Sequence, residues 1–338
     1  MKKVIVSSNE AGQRMDKLLA KYLSEAPKSF FYKMLRKKNI TLNGKKAQGK
    51  EKLQVGDEII FFLSDETYEK FSGKHPKSGQ FMKPSGHFTK DVPVLYEDEH
   101  LLFLNKPTGM LSQKSRPEDF SLNEYVITYL LQKGELTEEE LVSFRPSICN
   151  RLDRNTSGIV AAGKTLKGLQ QLSEMFRSRT MEKYYLTIVA GQITEATYIH
   201  GYLKKNEETN KVMVKKVPFE DALEIETAYR PLAYTRTCTL LEVHLITGRT
   251  HQIRAHLASE KHPIIGDTKY GSQELNMQMK KKYHLSSQLL HAWRMYFPHT
   301  EDALSGLCGK TIYAPIPEKF NKIIKGEGIL WEHGTQEG

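Results

Sequence analysis

Cysteine is scarce. The chain has three in 338 residues, Cys149, Cys238 and Cys308, set far apart and with no CxxC pair. An odd number at such spacing supports neither a disulfide framework nor a zinc ribbon, and a reducing compartment is the plain reading. Long apolar runs are missing too. Ile59 to Leu63 and Leu101 to Leu104 are typical, far short of the roughly 20 residues a spanning helix needs. The first twelve residues carry charge but no apolar block of signal-peptide length, so a cytoplasmic protein is expected. No internal repeat or heptad run is found. An acidic excess is also absent, since 50 Lys and Arg face 40 Asp and Glu, for a net charge of +10 at pH 7. That balance favours a polyanionic partner, nucleic acid or a membrane surface, although a generic solvated basic surface has the same composition.

Residues 1–64 read as a small α/β unit. Met15, Leu18, Leu19, Tyr22 and Leu23 fall on one face of a helix that Pro27 ends. A second helix fits Ser29 to Lys38, with Phe30, Phe31, Met34 and Leu35 inward. Asn43-Gly44 is a two-residue hairpin signal, because both positions must accept positive φ. A strand fits Asp57 to Leu63. Between residues 33 and 52 the cations Lys33, Arg36, Lys37, Lys38, Lys45, Lys46, Lys50 and Lys52 face Glu51 alone. With one helix face buried, these side chains are displayed together, which suits phosphates whose binding releases counterions. A solvated charged face is the plainer alternative.

Residues 65–90 are rich in Ser, Gly, Lys, Pro and Thr and poor in aliphatics, so a flexible linker is expected. Residues 91–330 read as a second, larger domain. Strands fit Leu101 to Leu104, Gly158 to Ala162, Tyr184 to Val189, Thr237 to Leu245 and Leu289 to Phe297. Helices fit the stretch after Thr165 and Thr250 to Ala258. Lys204, Lys205, Lys211, Lys215 and Lys216 flank a further hairpin, with Glu207 and Glu208 at its tip. The two element types do not alternate regularly, which argues for an α+β fold rather than a doubly wound parallel sheet.

The most informative stretch is Asn150-Arg151-Leu152-Asp153-Arg154-Asn155-Thr156-Ser157-Gly158-Ile159-Val160. A carboxylate stands between two arginines, in a polar turn that feeds a buried strand. A neighbouring arginine favours the charged form of a carboxylate, and such a group at the mouth of a sheet suits a nucleophile or base. Taken alone, the pattern fits a structural salt bridge in a loop better. His251 and His256 lack the His-Glu-x-x-His spacing of a shared metal face, and no metal is expected.

The stretch resembles the Arg-Leu-Asp-x-x-Thr-Ser-Gly signature of RluA-like pseudouridine synthases. Other blocks match in the same order. They are Asn105-Lys106-Pro107-x-Gly109, Lys183-x-Tyr185-x-x-x-Val189-x-Gly191, Thr247-Gly248-Arg249-Thr250-His251-Gln252-Ile253-Arg254-x-His256-Leu257, and His262-Pro263-Ile264-Ile265-Gly266-Asp267-x-x-Tyr270-Gly271. Leu290-His291-Ala292 and Phe297-Pro298-His299 complete a likeness over residues 92–317. The N-terminal unit resembles the small RNA-binding domain shared by a small-subunit ribosomal protein and several RNA-modifying enzymes. It does so through Arg14-Met15-Asp16-Lys17-Leu18-Leu19, Ile40 to Lys45 and Leu53 to Ile59.

The resemblance implies a pseudouridine synthase fold with a central, mainly antiparallel mixed sheet and a basic cleft. It implies that Asp153 starts cleavage of the bond between uracil and ribose in an everted uridine, after which the base rejoins through carbon five without cofactor or metal. It further implies that Tyr185 lies against the uracil and that Arg254 pairs with Asp153, with Arg249 as the alternative partner. Arg151 would fill the gap left by the flipped base, and Lys106, Lys164 and Thr156 would contact substrate. The expected partner of this monomer is structured RNA, first large-subunit ribosomal RNA and second transfer RNA. A non-catalytic RNA-binding or assembly protein, and a nucleoside hydrolase, are the alternatives. Asn150 stands where histidine is usual, and Met110 to Lys114 depart from the usual pattern after Gly109.

Overall fold

The structure is a computed structural model that describes residues 1–72 and 91–331. In the N-terminal unit, strand β1 (Lys2–Ile5) leads to helices α1 (Met15–Tyr22) and α2 (Lys28–Arg36). Strands β2 (Ile40–Leu42), β3 (Lys45–Lys46) and β4 (Glu58–Phe61) follow. The strands form an antiparallel sheet in the order β1-β4-β2-β3. The expected hairpin turns on Asn43 and Gly44, whose φ values are 51° and 71°. Met15, Leu18, Leu19, Phe31 and Leu35 pack with Ile40, Ile59 and Phe61 as this unit's core.

The expected linker is corrected at its start, where Asp65–Ser72 forms helix α3. Ser64 Oγ accepts from the Thr67 amide at 3.2 Å, an N-cap. Asp65 and Glu66 lie in the first turn and Lys70 in the last, as the helix dipole favours. Tyr68 and Phe71 join the N-terminal core. Phe71 meets Phe30 with ring centroids 4.4 Å apart. Two aromatic residues three positions apart in a charged and polar stretch do not read as a helix without the core they dock on. The rest of the expected linker, 73–90, lies outside the described residues.

The larger domain contains β5 (Val94–Glu97), β6 (Leu101–Lys106), α4 (Leu122–Lys133), β7 (Ser147–Ile148), β8 (Ser157–Gly163) and α5 (Leu166–Ser178). Next come β9 (Glu182–Ala190), β10 (Thr197–Asn206), β11 (Lys211–Lys215), β12 (Leu223–Tyr234), β13 (Cys238–Leu245) and α6 (Gln252–Ser259). It closes with α7 (Gln273–Tyr283), β14 (Leu290–Tyr296), β15 (Thr311–Tyr313) and α8 (Glu318–Gly326). One sheet runs β11-β10-β12-β13-β9-β14-β8-β6-β5, with β15 on β14 and β7 on β8. Only the β14–β8 pairing is parallel, so the sheet is mixed and mainly antiparallel, as the α+β reading expects.

Both faces of the sheet are covered, which is why its central strands are apolar throughout rather than alternating. Leu102, Leu104, Val160, Ala162, Tyr185 and Val243 face α4 and the Ile253 and Leu257 side chains of α6. Leu101, Phe103, Ile159 and Ala161 face Leu172 and Met175 of α5. Leu186, Ile188 and Leu240 face Met279, Phe320 and Ile323 of α7 and α8.

The parallel contact matters most for function. It pairs Ser157 with His291 and Gly158 with Ala292, directly after the Asp153 turn. Gly158 has φ +110°, and a Cβ there would stand 2.1 Å from the Ala292 carbonyl oxygen, so only glycine lets the strands close. Ser157 Oγ and His291 Nδ1 lie 2.9 Å apart beside it. The chain therefore leaves the Asp153 turn on a fixed path.

Candidate active site

The turn that carries Asp153 is braced from below. The Thr156 amide donates to the Asp153 carbonyl at 3.0 Å, closing the turn. The Gly109 amide donates to the Arg154 carbonyl at 2.9 Å, and Arg154 Nε returns a bond to the Gly109 carbonyl at 3.1 Å. Ser112 Oγ donates to the Leu152 carbonyl at 2.8 Å and accepts from the Leu152 amide at 3.0 Å. Asn150 Nδ2 donates to the Ile159 carbonyl at 3.2 Å, and its Oδ1 accepts from the Ala161 amide at 2.8 Å. Two departures from the family pattern, at Asn150 and Ser112, thus hold the turn by local hydrogen bonds.

Lys106 lies beneath this brace. It was expected to line the cleft; instead it is fully buried. Its Nζ donates to the carbonyls of Pro107 at 3.1 Å, Met110 at 2.8 Å and Arg154 at 3.1 Å. Burial pushes its pKa down to about 7, with Asp153 pulling the other way. Three carbonyls match the three donors that only the ammonium form possesses. Lys106 ties the loop after β6 to the Asp153 turn and is a positioning residue.

Above the turn, the Asp153 side chain is about a quarter exposed, and its Oδ2 accepts from Arg254 Nη1 at 2.8 Å. Arg254 is the partner rather than Arg249, which is exposed and spends its amide on Gln252 Oε1 at 3.0 Å. Helix α6 begins at Gln252, two residues later than expected, so Arg254 lies in its first turn. The other edge of its guanidinium is bidentate to Asp267, Nε to Oδ2 at 2.7 Å and Nη2 to Oδ1 at 2.9 Å. Asp267 is wholly buried and also accepts from the amides of Lys269 and Tyr270. Burial alone would raise its pKa, but the Arg254 and backbone hydrogen bonds outweigh that and hold the carboxyl below its ordinary value. Two carboxylates on one arginine fix where the Asp153 oxygens point.

Tyr185, on β9, is buried in the core on the α4 and α6 side. Burial first and the Asp153 charge second push its phenol well above the usual range. At neutral pH it is a protonated phenol, close enough to Asp153 to feel that charge. His251 caps α6 with φ 53°. Its Nδ1 lies 2.9 Å from Tyr270 Oη and its Nε2 3.9 Å from Asp153 Oδ2. Tyr270 Oη accepts from the Val212 amide at 2.8 Å, so its own proton is free to go to Nδ1. That leaves the Nε2–H tautomer facing Asp153. Burial lowers the imidazole pKa against the pull of Asp153.

The remaining expected contacts divide. Arg151 is exposed and has no ion pair among the described residues. Thr156 is buried, with Oγ1 accepting from Gln288 Nε2 at 3.4 Å, so it shapes the turn instead of meeting substrate. Lys164 is corrected outright. It closes the far end of β8, seven residues of strand or about 23 Å from Ser157. There its Nζ pairs with Glu97 at 2.8 Å and with Glu135, and donates to the Asp98 carbonyl at 2.8 Å. Lys33, Arg36, Lys37, Lys38, Lys45 and Lys46 are all exposed, and none forms an ion pair with a described residue. A cavity of about 480 Å³ walled by Tyr184, Glu242, His244 and Arg294 lies at the other face of β9, and Asp153 does not line it.

Comparison with known proteins agrees with this arrangement. The family model described as RNA pseudouridylate synthase matches residues 100–259. A ribosomal large subunit pseudouridine synthase C from Pasteurella multocida is 32% identical over 335 residues, 96% of this chain and 93% of that protein. The Escherichia coli K12 protein of the same name is 32% identical over 308 residues, covering 88% and 89%. Among solved structures, human RNA pseudouridylate synthase domain containing 4 shares the fold, with a TM-score of 0.56 and 23% identity over 71% of this chain and 94% of that one. The fold is thus that of an RNA-modifying isomerase. The chain belongs to the RNA pseudouridine synthase family.

Proposed function

We propose that the chain converts specific uridines of large-subunit ribosomal RNA to pseudouridine, with Asp153 as the group that starts the reaction. The observation that carries this reading is the Asp153 carboxylate held at 2.8 Å by Arg254, which Asp267 grips from behind. In the proposed reaction the everted uridine sits between Asp153 and Tyr185. The bond between ribose carbon one and uracil nitrogen one breaks, the uracil turns, and a bond forms to its carbon five. Carbon five loses a proton and nitrogen one gains one, so no atom or electron is lost. The ribosomal target is supported by relatives of that name at 32% identity. A cytoplasmic monomer fits this work, and no helix among the described residues is long and apolar enough to cross a membrane.

The test is a map of pseudouridine across total RNA from cells with and without the gene. Loss of one or more sites from large-subunit RNA is expected. Loss confined to transfer RNA would move the target, and release of free uracil by the protein would point to a nucleoside hydrolase instead.

The N-terminal cations supply a second measurement. Changing Lys33, Lys37, Lys45 and Lys46 together to alanine should weaken RNA binding. It should also flatten log affinity against log salt by about one for each phosphate contact removed. A slope equal to that of the unaltered protein would assign the phosphate contacts to the catalytic cleft.

A further inference from the structure

Lys183 stands out among the basic side chains of the catalytic domain. It lies in β9 two residues before Tyr185, so the two side chains alternate onto one face, ~6.8 Å apart along the strand. It is more than nine-tenths buried, with 8% exposure. Yet its ammonium forms no hydrogen bond or ion pair with any described residue, whereas buried Lys106 has three carbonyl acceptors and buried Lys164 two glutamates. Its stem is buried while its Nζ is not among the enclosed atoms, so the side chain leads a cation without a partner out of the core, which packing alone does not require.

Its surroundings add positive charge. Arg179, the residue that ends α5 at φ 59°, is close enough to repel it. A Cβ built on Gly248 would lie 3.9 Å from Lys183 Nζ, so the ammonium rests against the turn that carries Arg249 and leads into α6. Arg179 and Arg249 are both exposed, and neither has an ion pair among the described residues. Burial, with Arg179 adding to it, pulls Lys183 down to about 8, which leaves it charged at neutral pH and in want of an anion.

We propose that Lys183, Arg179 and Arg249 form a phosphate subsite that takes the RNA backbone phosphate next to the everted uridine. The inference rests on the RNA-modifying reading above and adds the group that anchors the flipped nucleotide. Base and backbone are then read by neighbouring positions of one strand: Tyr185 meets the ring, and Lys183 meets the phosphate that the ring drags with it. Arg179 and Arg249 close over the phosphate from the exposed side. The unpaired charge is neutralised only when substrate is in place, so the contact favours the everted state over a loosely bound duplex.

The experiment uses the full chain and a transcript of a large-subunit ribosomal RNA domain, with affinity followed from about 50 to 200 mM salt. Lys183→Met should weaken binding roughly tenfold at the low end and reduce the salt slope by about 0.7 to 0.9, one phosphate contact. Its thermal midpoint without RNA should equal or exceed that of the unaltered protein, because a partly desolvated cation beside Arg179, with no partner to lose, has been removed. Lys183→Arg should restore the slope. If the Met variant does not fold, Lys183→Gln against Lys183→Arg makes the same comparison. Unchanged affinity and slope in the neutral variant, or an Arg variant no better than the neutral one, would overturn the subsite. Pseudouridine formation by the unaltered protein on the same transcript is scored separately. Its absence would sink the enzymatic reading while the binding comparison still judges Lys183.

Discussion

Asp153→Asn is expected to reduce pseudouridine formation by roughly 10⁴-fold or more, the scale found when the group that begins bond cleavage is removed, with RNA affinity within a few-fold. The substitution keeps the size of the side chain and an oxygen able to accept from Arg254 Nη1, but removes the charge. The fold should survive, because Arg254 keeps both bonds to Asp267 and so is not left as a bare buried cation. The turn itself is held by backbone groups and by Lys106, Ser112 and Asn150, none of which needs the carboxylate. Single-turnover isomerisation measured beside RNA binding separates the two effects. Unchanged pseudouridine yield would remove Asp153 from the chemistry, and a parallel loss of affinity and melting temperature would make it a structural residue.

How much of this was readable from the chain alone follows from how local each signal is. Asn43-Gly44 marks a hairpin because two adjacent positive φ angles are a property of two residues. The apolar face of α1 and the buried run of β8 are similarly local. The Asp153 turn is legible as a charged turn feeding a buried strand, but its role and its pairing with Arg254 come only with the family likeness. Helix α4 was not legible. Val126, Ile127 and Thr128 are buried in succession, so it shows no single apolar stripe. Lysine misleads for the same reason in reverse. A lysine in sequence reads as a surface cation, and nothing near Lys164 announces Glu97, 67 residues away. Lys106 finds its third carbonyl 48 residues on. Asp267 belonged to a matching block, but its role depends on the chain after α6 folding back, which no spacing rule encodes. His251 and Tyr270 depend on the same return.

That return makes Asp267→Asn the change with the largest expected effect on stability. Among the described residues Asp267 is the one carboxylate bidentate to Arg254, and both groups are buried. An amide in its place turns an N–H₂ toward the guanidinium and leaves a buried cation with half its partners, a loss of about 3 to 5 kcal/mol where a buried pair is broken. The sign of the pH dependence can be fixed. The Asp267 carboxyl lies below its ordinary 3.8 in the folded protein, so the unfolded chain takes up its proton first as pH falls. The stabilisation is therefore fully present above about pH 4 and is lost as pH drops through the folded value. The difference in melting temperature between the unaltered protein and Asp267→Asn should be widest above pH 4 and should narrow below it. A difference constant through that range would mean that the charge of Asp267 is not what holds Arg254. Activity should fall with stability but by a separate route. Arg254, released on one side, no longer fixes the Asp153 oxygens, and a displacement of about 1 Å at a reacting group costs about 10²-fold. Measured at a temperature where the variant is fully folded, that loss should appear in kcat with little change in KM, because the phosphate contacts that bind RNA are untouched.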